Sequence, residues 1–269
     1  MRFLPTLLLL FALFAATGCG GRADSPFDTL VGEPVALDPQ RIDGVRAFLA
    51  GSDRYNTYSR TSNGKPRDPV SRILLRNPEQ PDLWDAYDTL ANRIEFEFSP
   101  ERGVYLLRGE NGTYRGRIAF DEPLLYAPPE LERGVDFRNE VGFAVWTDKR
   151  TTSTGDANLE LTYEGVEEIP VLGESRQVWR VDSRFTISIR LLLGTVSVWV
   201  DQRQWLDPEW GEVRREIEGT YGFLGVGLRG FNAVQEMTAT RPLEPADVDA
   251  ILAIYRNPPP PPKGRVDEE

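Results

Sequence analysis

From Arg93 to Ala239 the chain is written almost wholly in strand periods, and this constrains its fold more than any other feature. Ile94-Glu95-Phe96-Glu97-Phe98 alternates strictly, so its three apolar side chains share one face of a strand. Similar short runs are predicted as strands at 103–107, 113–120, 137–146, 158–164, 166–172, 177–182, 185–191, 195–200, 211–218 and 227–239. Turn-like stretches such as Gly109-Glu110-Asn111-Gly112 separate them, and helical periodicity is nearly absent. Short strands at such spacings indicate a largely antiparallel sheet, so the predicted class is mainly β with a few helices.

Helices are expected only at the margins. One is predicted over Arg41–Ala50 and another over Pro81–Asn92, where Leu83, Trp84, Tyr87 and Leu90 share one face of a 3.6-residue period. Between them the polar stretch Gly51–Asp68 reads as a loop. A closing helix begins near Pro245, since proline is tolerated in a first turn, and carries the stripe Val248, Ile251, Leu252, Tyr255. Five consecutive prolines, Pro258–Pro262, then lead into a charged tail, and they read as a polyproline II spacer.

The N-terminus carries a second strong signal. Met1 and Arg2 precede an apolar run from Phe3 to Ala16, only 14 residues long. A bilayer-spanning helix needs roughly 20, whereas this length suits the h-region of a signal peptide. The run ends in Ala16-Thr17-Gly18-Cys19, which resembles the bacterial lipobox. That resemblance implies cleavage between Gly18 and Cys19 and acylation of the Cys19 thiol. Cys19 is also the one cysteine present, so no disulfide within the chain accounts for it. The chain therefore divides into a leader (1–18), a Gly/Pro-rich tether (19–40), a helical and loop extension (41–92), a β-rich domain with its closing helix (93–256) and the tail (257–269).

Composition narrows the function. Arg2 leaves with the leader, taking the net charge from −11 to −12, which argues against a nucleic-acid partner or adhesion to anionic lipid by the protein surface. Membrane contact then falls to the N-terminal lipid. Histidine is absent, which excludes His-dependent triads and His-ligated zinc, and no phosphate-binding or dinucleotide glycine motif occurs. Lysine stands only at 65, 149 and 263, with no Ser-x-x-Lys tetrad. No cofactor, no metal ligand set and no catalytic residue is assigned. Carboxylates remain: Glu164, Glu167, Glu168, Asp182, Asp201, Asp207 and Glu209 hold the elements of a glycosidase pair, but among 42 acidic residues no spacing singles two out. Trp146, Trp179 and Trp199 fall within predicted strands and are the candidates for ligand contact, with burial in the core as the simpler use. Alternation sets Val196, Val198 and Val200 on the face opposite Trp199.

Three segments carry a resemblance: Pro123–Gly134, Leu161–Val171 and Trp205–Glu216, the last reading Trp-Leu-Asp-Pro-Glu-Trp-Gly-Glu-Val. Together they resemble bacterial lipoproteins with an extracytoplasmic β-sheet domain, distantly similar to the periplasmic lipoprotein carriers. The resemblance implies a curved antiparallel sheet or half-barrel flanked by short helices, wrapped about an apolar cavity. Asp207-Pro208-Glu209-Trp210-Gly211 also has a purely structural reading as a hairpin turn, with an Asx start, a fixed-φ proline and a glycine free for positive φ. The expected function is a non-enzymatic, membrane-anchored envelope lipoprotein that binds an apolar ligand, a lipid or an envelope protein. The alternative is a carboxylate-based hydrolase of envelope polysaccharide. Gly20 and Gly21 follow Cys19 where an aspartate would mark inner-membrane retention, so in a two-membrane cell an outer-membrane site facing the periplasm is expected.

Overall fold

The computed structural model describes residues 37–259, except 114, 148–149, 192–193 and 224–225. Gly18 and Cys19 therefore lie outside the described residues, as do the leader, most of the tether and most of the tail.

The alternating segments build one antiparallel sheet that closes on itself. Its twelve strands are β2 (Arg54–Ser62), β3 (Lys65–Arg76), β4 (Leu83–Asp88), β5 (Asn92–Ser99), β6 (Gly103–Asn111), β7 (Gly116–Ala127), β9 (Asp136–Thr147), β10 (Arg150–Val171), β11 (Glu174–Leu191), β12 (Gly194–Asp207), β13 (Gly211–Phe223) and β14 (Val226–Pro242). Each neighbour in the chain is a neighbour in the barrel, β14 pairs with β2, and β7 pairs with β9 across a small detour. The detour is β8 (Glu130–Glu132), which pairs with β1 (Arg41–Asp43) in a separate two-stranded sheet. The expected class holds, and closure takes the curved sheet to its limit by removing the unpaired edges.

Residues 41–92 correct part of the sequence reading. Only Gly44–Leu49 (α1) is helical, capped by the Asp43 carboxylate accepting from the Arg46 N–H. The predicted loop 51–68 forms β2 and the start of β3, and the predicted helix 81–92 contains strand β4. The reason in β4 is burial on both faces. Trp84 and Ala86 point inward, while Tyr87, opposite Ile73 on β3, points outward beneath the C-terminal helix α2 (Pro245–Arg256). A strand buried on both sides loses its alternation, and its apolar residues then fit a helical face equally well. The C-terminal helix forms as expected, with Ile251, Val248, Leu252 and Tyr255 against Ile73 and Tyr87.

Inside, the barrel holds an apolar core. Val196, Val198 and Val200 of β12 are buried in it, as are Phe185 and Ile187 of β11 and Phe96 and Phe98 of β5. Helix α1 is inserted among them, its Phe48 edge-on to Tyr126 (5.1 Å), which stacks on Phe185 (6.1 Å). The predicted strand pairs 158–164/166–172 and 177–182/185–191 are two long strands, with a bulge between Tyr163 and Gly165. Their ladders to β9 and β12 stop at Thr162 and Trp179, so residues 165–178 form a two-stranded ribbon. Val171 and Val178 of this ribbon pack with Trp205, Val213, Tyr58, Val70 and Met237.

The outer face is charged. Arg190 pairs with Asp156 (2.5 Å), Arg184 with Asp201 (2.6 Å), Arg180 with Asp182 (2.8 Å) and Arg214 with Glu216 (2.6 Å) across β10 to β13. Apolar inside and ionic outside is the reverse of a lipid-embedded barrel, where outward arginine at mid-bilayer costs about 2–4 kcal/mol. Among the described residues no helix is long and apolar enough to cross a membrane.

Candidate functional site

The three tryptophans go to three different environments. Trp179 lies inside the barrel, 2% exposed, opposite Leu206 on β12. Its place is the core, and its indole N–H finds no acceptor there. Trp199 and Trp146 both sit on the outer face, each lining a separate depression.

The larger depression is a groove of about 680 Å³ between the end of α2, the β6–β7 hairpin and β9. Glu110, Asn111 and Gly112 come from the end of β6, Arg115, Gly116 and Arg117 from the turn and start of β7, and Trp146 from β9. Register explains the juxtaposition, because Arg117 stands directly opposite Trp146 across the β7–β9 ladder. Its guanidinium lies over the indole, 4.9 Å from the ring centre. On the far wall Tyr255 meets Tyr87 edge-on at 5.4 Å and donates its hydroxyl to Glu110. Burial and the Glu110 charge both raise the Tyr255 phenol, so it stays a donor at neutral pH. The wall is pinned by Asn111 Nδ2 donating to Asn92 Oδ1 (2.5 Å) and Gly112 N–H donating to Ala91 C=O (2.8 Å). The described lining thus presents three guanidiniums, Arg115, Arg117 and Arg256, against one carboxylate.

The smaller recess, about 350 Å³, is lined by Trp199, Asp201, Glu218, Thr220, Asn63 and Asn232 among others. Asp201 and Glu218 are cross-strand partners beside the tryptophan, and Asp201 accepts two bonds from Arg184 (2.6 and 3.1 Å). The other sequence-singled carboxylates are scattered. Glu167 takes Arg180 (3.0 Å) and the Trp205 indole N–H (2.8 Å), and these donors outweigh partial burial and lower its pKa. Asp182 is held by Arg180, Glu168 by Ser175, and Glu209 by Arg54 and Arg176. Glu164 is exposed on β10.

Asp207 has the structural role the turn motif implies. Its Oδ1 accepts from the N–H groups of Glu209 (2.8 Å) and Trp210 (2.9 Å), Gly211 takes φ +76°, and Arg176 grips the buried carboxylate bidentately. Arg176 also lies 4.1 Å over the Trp210 ring, which ties the β10–β11 ribbon to this turn.

Sequence reasoning missed a buried polar cluster inside the barrel. Glu212, 1% exposed, accepts from Arg72 (2.7 Å), Arg215 (2.5 and 3.0 Å) and Gln204 Nε2 (2.9 Å), and Arg72 also donates to Gln235. Tyr58 donates to the Glu212 carbonyl (2.9 Å) and lies under Arg72 (4.8 Å). Burial pulls the Arg215 guanidinium below its usual pKa, against the opposing pull of Glu212. Beside the cluster Ser183 and Gln202, cross-strand neighbours, leave the serine hydroxyl and both amide atoms without partners. A signal was present on β12, whose inward positions read Val196, Val198, Val200, then Gln202 and Gln204. Among the described residues no group of three or more His, Cys, Asp or Glu side chains is placed to hold a metal.

No protein-family model matches the chain, and no curated protein matches it. Solved structures with a similar course include the hypothetical lipoprotein YmcC of Escherichia coli K12, 9% identical, TM-score 0.36, covering 70% of this chain and 86% of that one. A presumed lipoprotein of Parabacteroides distasonis is 11% identical at TM-score 0.37, covering 69% and 95%. A presumed exported protein with a YmcC-like fold from Bacteroides fragilis is 11% identical at TM-score 0.37, covering 70% and 96%.

Proposed function

We propose that this chain is a lipid-anchored lipoprotein of the bacterial envelope whose barrel binds a ligand or an envelope partner on its outer surface and performs no chemistry of its own. The observation that carries the reading is the pairing of an N-terminal lipobox with a barrel whose outer face is ionic and whose core is apolar. The acyl chains on Cys19 supply the membrane attachment that such a barrel cannot, at about 0.8 kcal/mol per buried CH₂. The aromatic contacts of Phe48, Tyr126 and Phe185 inside the barrel favour surface recognition over the carriage of an apolar ligand between those rings.

Metabolic labelling with palmitate tests the anchor. Label is expected on the full chain and lost in Cys19→Ala, and density-gradient fractionation of a two-membrane host is expected to place the protein in the outer membrane. Recovery from the inner membrane alone would overturn the location. A stoichiometric lipid extracted from the folded protein, beyond its own acyl groups, would overturn the surface-recognition reading in favour of a carrier.

The hydrolase reading keeps one specific support, the Asp201–Glu218 pair beside Trp199. If it holds, Asp201→Asn and Glu218→Gln should each abolish turnover of an envelope polysaccharide while the fold is retained. Equal turnover in wild type and both variants, or none in any, removes it.

A further inference from the structure

We propose that the groove floored by Trp146 binds a phosphate-bearing sugar, held by Arg115, Arg117 and Arg256; this rests on the surface-recognition reading above and names its ligand class.

Charge is the first argument. In a chain of net charge −11, the described lining of this groove carries three cationic side chains and only Glu110 on the acidic side. Glu110 is already engaged, accepting from the Tyr255 hydroxyl and lying 3.9 Å from Arg93. Among the described residues Arg256 makes no ion pair, and Arg117 has the Trp146 ring as its contact. A concave positive site in an acidic protein concentrates anions. Guanidinium forks match phosphate oxygens bidentately, and three of them suit a dianion better than a single carboxylate.

Shape and topology choose the rest of the ligand. A groove of about 680 Å³ exceeds what a bare phosphate fills and lies within the usual range of small-ligand sites. Trp146 and Tyr255 offer aromatic surface for a ring, while Asn111 and the small residues Gly112 and Gly116 line the approach. An acidic peptide is the less suitable occupant. Peptide strands dock by extending a free sheet edge, and β6, β7 and β9 are each paired on both sides of the closed barrel. Recognition here falls to side chains alone, which favours a compact ring-bearing anion.

The test is titration calorimetry on the full lipidated protein in detergent, with glucose, inorganic phosphate and glucose 1-phosphate as probes. Glucose 1-phosphate is expected to bind, more tightly than phosphate, with glucose silent. The Arg117→Gln/Arg256→Gln double variant is expected to weaken it at least tenfold at unchanged melting temperature. Arg138→Gln, which breaks an outer-face pair with Glu160, should leave binding as it was. A monophosphorylated diglucosamine lipid in mixed micelles separates the sources: tighter binding than glucose 1-phosphate identifies a lipid headgroup, weaker binding a free sugar phosphate. Phosphate binding as tightly as glucose 1-phosphate, binding unaffected by the double variant, or silence from every phosphorylated probe overturns the proposal. A protein that is labelled and sorted as a lipoprotein but fails these titrations sinks the groove assignment and leaves the anchored reading standing.

Discussion

Replacing Glu212 by Gln is the most informative perturbation of this barrel. The side chain keeps its volume but surrenders the one charge that faces two buried guanidiniums, those of Arg72 and Arg215, whose side chains are 3% and 0% exposed. Removing one partner of a buried ion pair typically costs about 3–5 kcal/mol, because the remaining charge stays desolvated. Against a total domain stability of about 5–15 kcal/mol this is a large fraction. At roughly 2–4 °C per kcal/mol for 150–250 residues, the expected fall in melting temperature is about 6–20 °C. Urea unfolding followed by tryptophan fluorescence supplies the free energy directly. A companion variant sharpens the reasoning: Arg72→Met, Glu212→Leu and Arg215→Met together remove all three charges, and such replacements are often neutral or stabilising. The triple variant should therefore be more stable than Glu212→Gln alone. A cost below about 1 kcal/mol for Glu212→Gln, the value of an exposed pair, would mean that water reaches the cluster and would refute the argument.

Other outcomes follow from single positions. Gly51→Ala should destabilise by about 2 kcal/mol or more, since a Cβ there meets the Trp210 carbonyl oxygen at 2.3 Å in addition to the φ of +69°. Gly64→Ala has a similar φ (+71°) and open space, so it should cost only about 1–2 kcal/mol; equal losses in thermal melts would discount the contact. Asp207→Ala strips two turn N–H groups of their acceptor and leaves the half-buried Arg176 with Glu209 as its remaining hydrogen-bonded carboxylate, and should cost about 1–3 kcal/mol by urea titration, with a loss under about 0.5 kcal/mol counting against the turn as an anchor for the ribbon. Burial raises the Asp88 carboxyl above the ordinary carboxylate range, against the pull of Asn92 and Arg72. Its contribution to stability is thus fully present below the unfolded aspartate value of about 4 and is lost as pH rises through the folded value. Asp88→Asn should flatten that part of the stability curve, and an unchanged slope in urea midpoints between pH 3.5 and 7 would contradict it.

The fold was legible where one side of a strand faces the interior and the other faces water. β5, β11 and β12 have that character, and their alternation read correctly. It was illegible in β2 and β4 for opposite reasons. β4 is covered on both faces, by the core and by α2, so Leu83, Trp84 and Tyr87 lost their two-residue period. β2 is polar even inward, where Asn56 bonds the Trp210 carbonyl (3.0 Å) and Tyr58 the Glu212 carbonyl. One local signal there was available: Asn63-Gly64 takes φ of +50° and +71°, the two-residue hairpin turn that an Asn-Gly pair favours. Of the site, alternation set Trp199 opposite the Val196, Val198 and Val200 face, while Trp146 was visible only as an aromatic within a predicted strand. The arginines facing Trp146 were not, because their proximity depends on a β7–β9 pairing and on a helix that arrives more than a hundred residues later.

The scarcity of lysine makes those arginines informative. With lysine at only three positions, nearly all positive charge is carried by planar guanidiniums, and the described ion pairs are all arginine pairs. Bidentate forks recur between strands, as in Arg184–Asp201 and Arg176–Asp207, where a fixed geometry stabilises register as well as charge. Arg117, set over the Trp146 indole, and Arg256, at a helix end and without an ion pair among the described residues, stand outside this ladder. Structural use accounts for the ladder. Recognition of an external anion gives Arg117 and Arg256 a use of their own, since both line, with Arg115, a groove that is positive on a chain of net charge −11.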